Sequence, residues 1–252
     1  MTVPISLFLE LVNLPISDQH YLVECAEMIT RGVNETKIEG YQRMFEYIEI
    51  KLEERRSKPR TDDILTAIST ASDDDGREWT MSEKLGMGAN VLAGGLDTVA
   101  GMMSLIMIHL AQSGEDRLTL INAPDKIGEA VEELLRRYQI INVARVLVSD
   151  ADIGGRQMKA GDFVLGATPL AGLNEDDYER PLDIDFNRTK KRSLIFGAGA
   201  HMCLGQFLAR LELKIFFVEW LKRIPHFHIK DGTTPKLVGG PVNSVLNLEL
   251  VW

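Results

Sequence analysis

Apolar and polar positions divide the chain into a long helical part and a shorter mixed part. Residues 17 to 31 and 36 to 56 repeat apolar side chains at the three- and four-residue spacing of amphipathic helices. The second runs into the charge run Lys51-Leu52-Glu53-Glu54-Arg55-Arg56 and stops before Pro59. Asp73-Asp74-Asp75-Gly76 has the chemistry of a turn, and Thr80 or Ser82 can cap the element that follows. That element, Leu85 to Ala111, is apolar almost throughout, as expected of a helix buried through the middle of a domain. Pro124 opens a further helix through Glu132-Glu133-Leu134-Leu135-Arg136-Arg137.

The texture then changes. Arg145-Val146-Leu147-Val148 and Phe163-Val164-Leu165 are short β-rich runs, broken by Gly154-Gly155 and Gly161. Asn174 to Ser193 is mostly irregular and leads into a glycine-rich loop. From Leu204 a last helix carries Leu204, Phe207, Leu208, Leu211, Ile215 and Val218 on one apolar face until Pro225 stops it. Lys236 to Trp252 has the look of short strands. The pattern predicts a mainly α chain with a small β region set apart from the helices (α+β), taken as one domain over residues 1–252.

Composition narrows the function. The 252 residues, 45% hydrophobic and 26% charged, are ordinary for a globular protein that buries a sizeable core. Thirty-seven acidic residues against 28 basic ones give a net charge of -9, which argues against nucleic acid or an anionic membrane as the main partner. The two cysteines, Cys25 and Cys203, provide no disulfide framework and fit a reducing cytoplasm. The opening MTVPISLFLELVNLP has neither the basic start nor the cleavage site of a signal peptide. Leu85 to Ala111 is long enough to cross a bilayer. Asn90, Asp97, Thr98 and Gly94-Gly95 make that costly, so a buried helix of a protein without a membrane partner is the expectation.

Candidate chemistry concentrates in Phe196-Gly197-Ala198-Gly199-Ala200-His201-Met202-Cys203-Leu204-Gly205. Cys203 stands where the last helix begins, so free N–H groups and the helix dipole can favour its thiolate. Gly197, Gly199 and Gly205 allow tight turning and close approach to a flat cofactor, and Phe196 can shield the sulfur. The same cysteine also reads as a buried, inert residue at a helix start. His201 is poorly placed to deprotonate it, and a zinc site lacks further cysteines.

Gly94-Gly95-Leu96-Asp97-Thr98 is a second conflict with local preference, since each glycine costs about 1 kcal/mol in a helix relative to alanine. Such conflicts accompany functional sites, and Thr98 can reach the Gly94 carbonyl one turn back. Close helix packing through the glycines is the alternative. Glu133 and Arg136, at i and i+3, form by spacing alone an ordinary solvated pair.

Taken together, these motifs resemble the cytochrome P-450 superfamily, and Gly-Gly-Leu-Asp-Thr resembles its camphor-hydroxylase branch. The cysteine loop matches Phe-Gly-x-Gly-x-His-x-Cys-x-Gly, whose six fixed identities make it a specific signal. The resemblance implies a haem b cofactor with Cys203 as the iron ligand, because thiolate ligation favours O–O cleavage. It also implies His201 and Arg145 as partners of the haem propionates, and Phe196, Gly197, Gly205, Gly94 and Gly95 as the cofactor's surroundings. Thr98 and Asp97 would handle dioxygen and protons, with Arg31 as a partner of the aspartate. Glu133, Arg136 and Arg188 match the superfamily's structural Glu-x-x-Arg network. Ile141, Asn90, Ala93 and Val242 match pocket-lining positions, while Val143 replaces an acidic residue of that branch.

The activity implied is monooxygenation of a small apolar, terpenoid-like substrate, with electrons from a [2Fe–2S] ferredoxin and its NADH-dependent reductase. Lys190 and Arg210 match basic positions on the docking side. The resemblance runs from about residue 2 to Trp252 but covers roughly the C-terminal three-fifths of a family member. It therefore implies that the N-terminal sheet, the substrate-covering loop and one helix of the central bundle are absent. An apolar patch on the exposed face of the long helix, able to drive self-association, is the corollary. A fragment that only binds haem or associates with itself is the competing reading.

Overall fold

The computed structural model describes residues 3–57, 61–189 and 193–252; Pro59 and Lys190 fall outside them. The chain forms two compact units, Met1–Ala100 and Gly101–Trp252, whose border falls inside the longest helix.

The first unit holds α1 (Val3–Leu11), α2 (Gln19–Arg31), α3 (Asn34–Ser57), α4 (Ile64–Ser69) and the first part of α5 (Met81–Gln112). Helical spacing dictates its core: Leu22, Cys25, Ala26 and Ile29 of α2 and Met44, Ile48 and Leu52 of α3 are buried with Leu9, Leu65, Leu92 and Leu96. Each large side chain removed from water contributes about 1.5–3 kcal/mol. Two of the glycines are packing requirements. A Cβ at Gly40 would stand 2.7 Å from the Met28 Cβ, and one at Gly88 would stand 2.7 Å from Ile48 Cγ2. Asp63 caps α4 by accepting the Thr66 amide at 2.8 Å. Thr80, rather than Ser82, caps α5: its amide donates to Glu83 at 2.7 Å, and the Glu83 amide returns to its hydroxyl at 3.3 Å.

By length and composition α5 is able to cross a membrane, yet half of its most apolar stretch is buried in the protein. The apolar patch expected on its exposed face is absent among the described residues. Met87 is the one exposed large hydrophobic side chain of α5, and Gly86, Asn90 and Gly94 complete the open stripe. Small and polar residues therefore occupy the positions that periodicity left unassigned.

The second unit contains α6 (Gly114–Asn122), α7 (Ile127–Arg137), α8 (Thr168–Ala171) and α9 (Gln206–Arg223). The β region is not one sheet but four antiparallel two-stranded ribbons among the described residues. β1 (Asn142–Val146) pairs with β4 (Phe163–Ala167), in register from Asn142 with Ala167 to Val146 with Phe163. β2 (Ala151–Ile153) pairs with β3 (Arg156–Met158) across a turn whose Gly154 and Gly155 take positive φ. β5 (His228–Ile229) pairs with β8 (Leu250–Val251), and β6 (Lys236–Val238) with β7 (Ser244–Asn247).

α9 packs against α7 and α6 with a stripe other than the one expected. Leu213, Phe217 and Leu221 are buried, whereas Leu204, Phe207, Leu211 and Ile215 are exposed. Both stripes repeat at helical spacing, so periodicity alone does not choose between them. Glu212 is buried beside the packed stripe with no hydrogen-bond partner at Oε1, and burial pushes its carboxyl up to about 7.

The Glu133 carboxylate organises the irregular segment after α8. Arg136 donates to it through Nε at 2.9 Å and Nη2 at 2.8 Å, Arg188 through Nε at 3.0 Å, and the Asp185 amide at 3.0 Å. The Arg136 guanidinium also binds the carbonyls of Gly172, Pro181 and Asp183. Solvated spacing logic therefore fails here, because both members of the pair are fully buried. Burial alone would raise the Glu133 carboxyl, but Arg136, the Asp185 amide and Arg188 outweigh it and hold it below the ordinary carboxylate range. A depressed pKa adds stability above the unfolded value, lost as pH falls through the folded one. Glu133→Ala should cost about 3–5 kcal/mol in urea unfolding at neutral pH. Glu212→Gln should have the opposite effect above pH 7, adding up to about 3 kcal/mol, because a raised carboxyl destabilises the folded chain as pH rises.

Candidate active site

In the first unit the candidate residues lie in the middle of α5. The Thr98 hydroxyl donates to the Gly94 carbonyl at 2.6 Å. The two glycines differ in role. A Cβ at Gly95 would collide with the Phe8 ring, so Gly95 serves the packing of α1, whereas a Cβ at Gly94 would meet nothing within 4 Å. Only Gly94 leaves backbone open to a bound molecule.

Asp97 is buried and ion-paired with Arg31, the partner expected from the sequence. The Thr30 hydroxyl, which sequence reasoning missed, lies 3.2 Å from Asp97 Oδ2 and donates to the Ala26 carbonyl at 2.8 Å. Its single hydrogen is shared between the Ala26 carbonyl and the Asp97 carboxylate, and the share given to Asp97 favours the charged form. Burial raises the Asp97 carboxyl above its ordinary value, against the opposing pull of Arg31 and then Thr30, with Glu27 adding to the rise. Further along the open stripe, Trp79, Glu83, Gly86, Met87 and Asn90 line a depression. Arg77 and Thr80 already engage Glu83, so the Asn90 amide and the Trp79 indole are the polar groups left to the depression among the described residues.

In the second unit the cysteine loop is built by its backbone. Gly197 and Gly199 take φ of 71° and 63°, left-handed values that favour glycine. A short 3-10 turn, Gly199–His201, follows, and the Cys203 amide closes the loop by donating to the Phe196 carbonyl at 2.7 Å. Gly205 needs no left-handed angle; its φ is -85°, and a Cβ there would meet nothing within 4 Å. The loop leaves the Cys203 thiol and the His201 ring exposed, whereas Cys25 is buried in the other unit. The buried, inert alternative thus describes Cys25 and not Cys203.

Exposed Leu204 and Phe207 follow the thiol in sequence. Arg145, on β1, is exposed and among the described residues donates only to the neighbouring Ala144 carbonyl, at 2.8 Å. Ile141 and Val242 are brought together as a β-bridge. Arg210 is not a free cation: it pairs with Glu132 at 2.6 Å and lies over the Phe196 ring. Glu132 was hidden in the sequence by the Glu-Glu run, because its significance depends on which helix α7 meets.

These groups fit a haem. Among the described residues no three His, Cys, Asp or Glu side chains converge on a metal position. An iron carried by a porphyrin needs a single ligand from the protein, a part the exposed Cys203 thiol can supply. The exposed His201 and Arg145 supply N–H donors of the kind propionates accept, and the apolar side chains beside the thiol suit a flat apolar ring.

Comparison with known proteins gives the same answer. The cytochrome P450 family model matches residues 127–248. The chain is 34% identical over 247 residues to a probable cytochrome P450 127A1 of Sinorhizobium fredii, covering 98% of this chain and 59% of that protein. Cytochrome P450 105A3 of Streptomyces carbophilus is 29% identical over 257 residues, 100% of this chain and 62% of that protein. The crystal structure of CYP101J2 superposes with a TM-score of 0.87 at 31% identity, over 100% of this chain and 62% of the other. The chain spans about three-fifths of the length of the curated relatives it matches. Sequence and fold agree over this shared span, and the chain belongs to the cytochrome P450 superfamily, whose C-terminal portion it represents.

Proposed function

We propose that this chain carries the haem-thiolate core of a cytoplasmic monooxygenase acting on an unactivated C–H bond of a small apolar, terpenoid-like molecule. The observation that carries the reading is the Cys203 thiol, exposed at the end of a loop closed by the Phe196 carbonyl and shaped by two left-handed glycines. In this reading Cys203 binds the iron, while His201 and Arg145 bind the propionates. The haem, when bound, supplies the binding and reductive activation of dioxygen.

The protein's own part is proton supply and water control. Asp97 holds a proton more readily than a solvated aspartate because it is buried, and Arg31 and Thr30 fix its orientation. Thr98 commits its hydrogen to the Gly94 carbonyl, so its oxygen is left to accept from a water or an acid. The depression lined by Trp79, Met87 and Asn90 supports a largely apolar substrate with some polar character. Electrons would come from a [2Fe–2S] ferredoxin and its NADH-dependent reductase.

The competing reading, association of a haem-binding chain with itself, gains support from exposed Phe207, Leu211 and Ile215 on α9 and Leu204 just before it, rather than from α5.

Two measurements test the assignments. With camphor as probe and a ferredoxin–reductase pair supplying electrons, Thr98→Ala should keep its haem but release most consumed oxygen as peroxide. Equal peroxide yields in the two proteins would remove Thr98 from the proton route. Carboxyl-carbon NMR should place the Asp97 midpoint above the ordinary 3.8, and Arg31→Ala should raise it further. A midpoint unmoved by Arg31→Ala would show that the ion pair does not hold the carboxylate.

A further inference from the structure

We propose that Glu132 and Arg210 act as a positioning pair for the cysteine loop, fixing the Phe196 ring and, through the Phe196 carbonyl, the backbone of Cys203. The inference rests on the reading of Cys203 as the iron ligand and gives Arg210 a task other than partner docking.

Phe196 faces two ways. Its carbonyl accepts the Cys203 amide at 2.7 Å, and the Arg210 guanidinium carbon lies 4.3 Å from its ring centroid. A cation over an aromatic face contributes about 0.5–1 kcal/mol at an exposed site and more when desolvated. The guanidinium is itself fixed on three sides. Nε donates to Glu132 Oε1 at 2.6 Å and Nη2 to Oε2 at 3.4 Å, while Nη1 donates to Gln206 Oε1 at 3.1 Å and to the Gln206 carbonyl at 3.3 Å. A planar fork held in this way lies flat on a ring, a geometry that an ammonium on a flexible stem, though attracted to the ring, does not reproduce.

Helix geometry explains how α7 supplies the anchor. Neighbouring residues on a helix point roughly 100° apart. Glu133 turns to Arg136 and Arg188, and Glu132 turns to α9, against which α7 packs. One helix therefore fixes the irregular segment with one carboxylate and the thiol loop with the next. Because Arg210 is already paired, its field is that of a dipole and falls off faster than that of a free cation. That makes it a weak steering group for an acidic partner.

The test uses the full chain with Arg210→Lys, which keeps the charge, and Glu132→Gln, which keeps the guanidinium and the ring. Hydrogen exchange at the Cys203 amide, measured without haem, should quicken on the order of fivefold in each variant. Amides of the β2–β3 ribbon should be unchanged, and the double variant should be no faster than either single one. After haem loading, the same variants should lose part of the strongly red-shifted reduced carbon monoxide band that marks a thiolate ligand. Wild-type exchange at Cys203 in both variants would overturn the positioning pair whatever the haem does. Quickened exchange in a chain whose wild type lacks the thiolate band would support the pair and overturn the ligand assignment. Should Arg210→Lys fail to fold, Glu132→Gln decides alone.

Discussion

The second unit depends on one buried carboxylate. Glu133 accepts from two guanidiniums and one amide, and its main partner Arg136 is entirely out of water while holding three further carbonyls. A charge so buried is tolerable only when every lone pair is met, and removing one partner leaves the others uncompensated. The network therefore specifies one path for residues 172–188, a stretch with almost no regular structure. The neighbouring Glu132 extends the same logic to the cysteine loop, so α7 is the reference element for both.

α5 resolves a conflict of a different kind. A helix whose apolar residues fill the core still carries two glycines, an acid and an alcohol at its centre. Gly95 gives space to Phe8, Gly94 leaves an open backbone, and Thr98 satisfies the Gly94 carbonyl. Asp97 is buried with Arg31 and Thr30, whose two contacts partly offset its desolvation. Helix propensity is given up where packing and chemistry need small or polar groups.

Much of this was legible in the sequence. Helix periods located α2, α3, α5 and α7, and the two β-rich runs overlap β1 and β4, whereas the β2–β3 ribbon between them was not read. The spacing of glycine, histidine and cysteine identified the thiol loop, and Asp97, Thr98 and Arg31 stand in the relations expected of them. Three features were not legible. The face of α9 that packs, the division of labour between Gly94 and Gly95, and the partners Thr30 and Glu132 depend on which element lies opposite. Residue spacing within one helix carries no record of its neighbour. Spacing misleads outright for Glu133 and Arg136, since the same i, i+3 pair is solvated or buried according to what covers it.

The central claim is that Cys203 ligates haem iron as a thiolate. Its most direct test is the absorption spectrum of the purified, haem-loaded chain, reduced under carbon monoxide. A strongly red-shifted Soret band, absent from Cys203→Ala, is the predicted result. A band at shorter wavelength in the unaltered chain, or failure to take up stoichiometric haem, would contradict it.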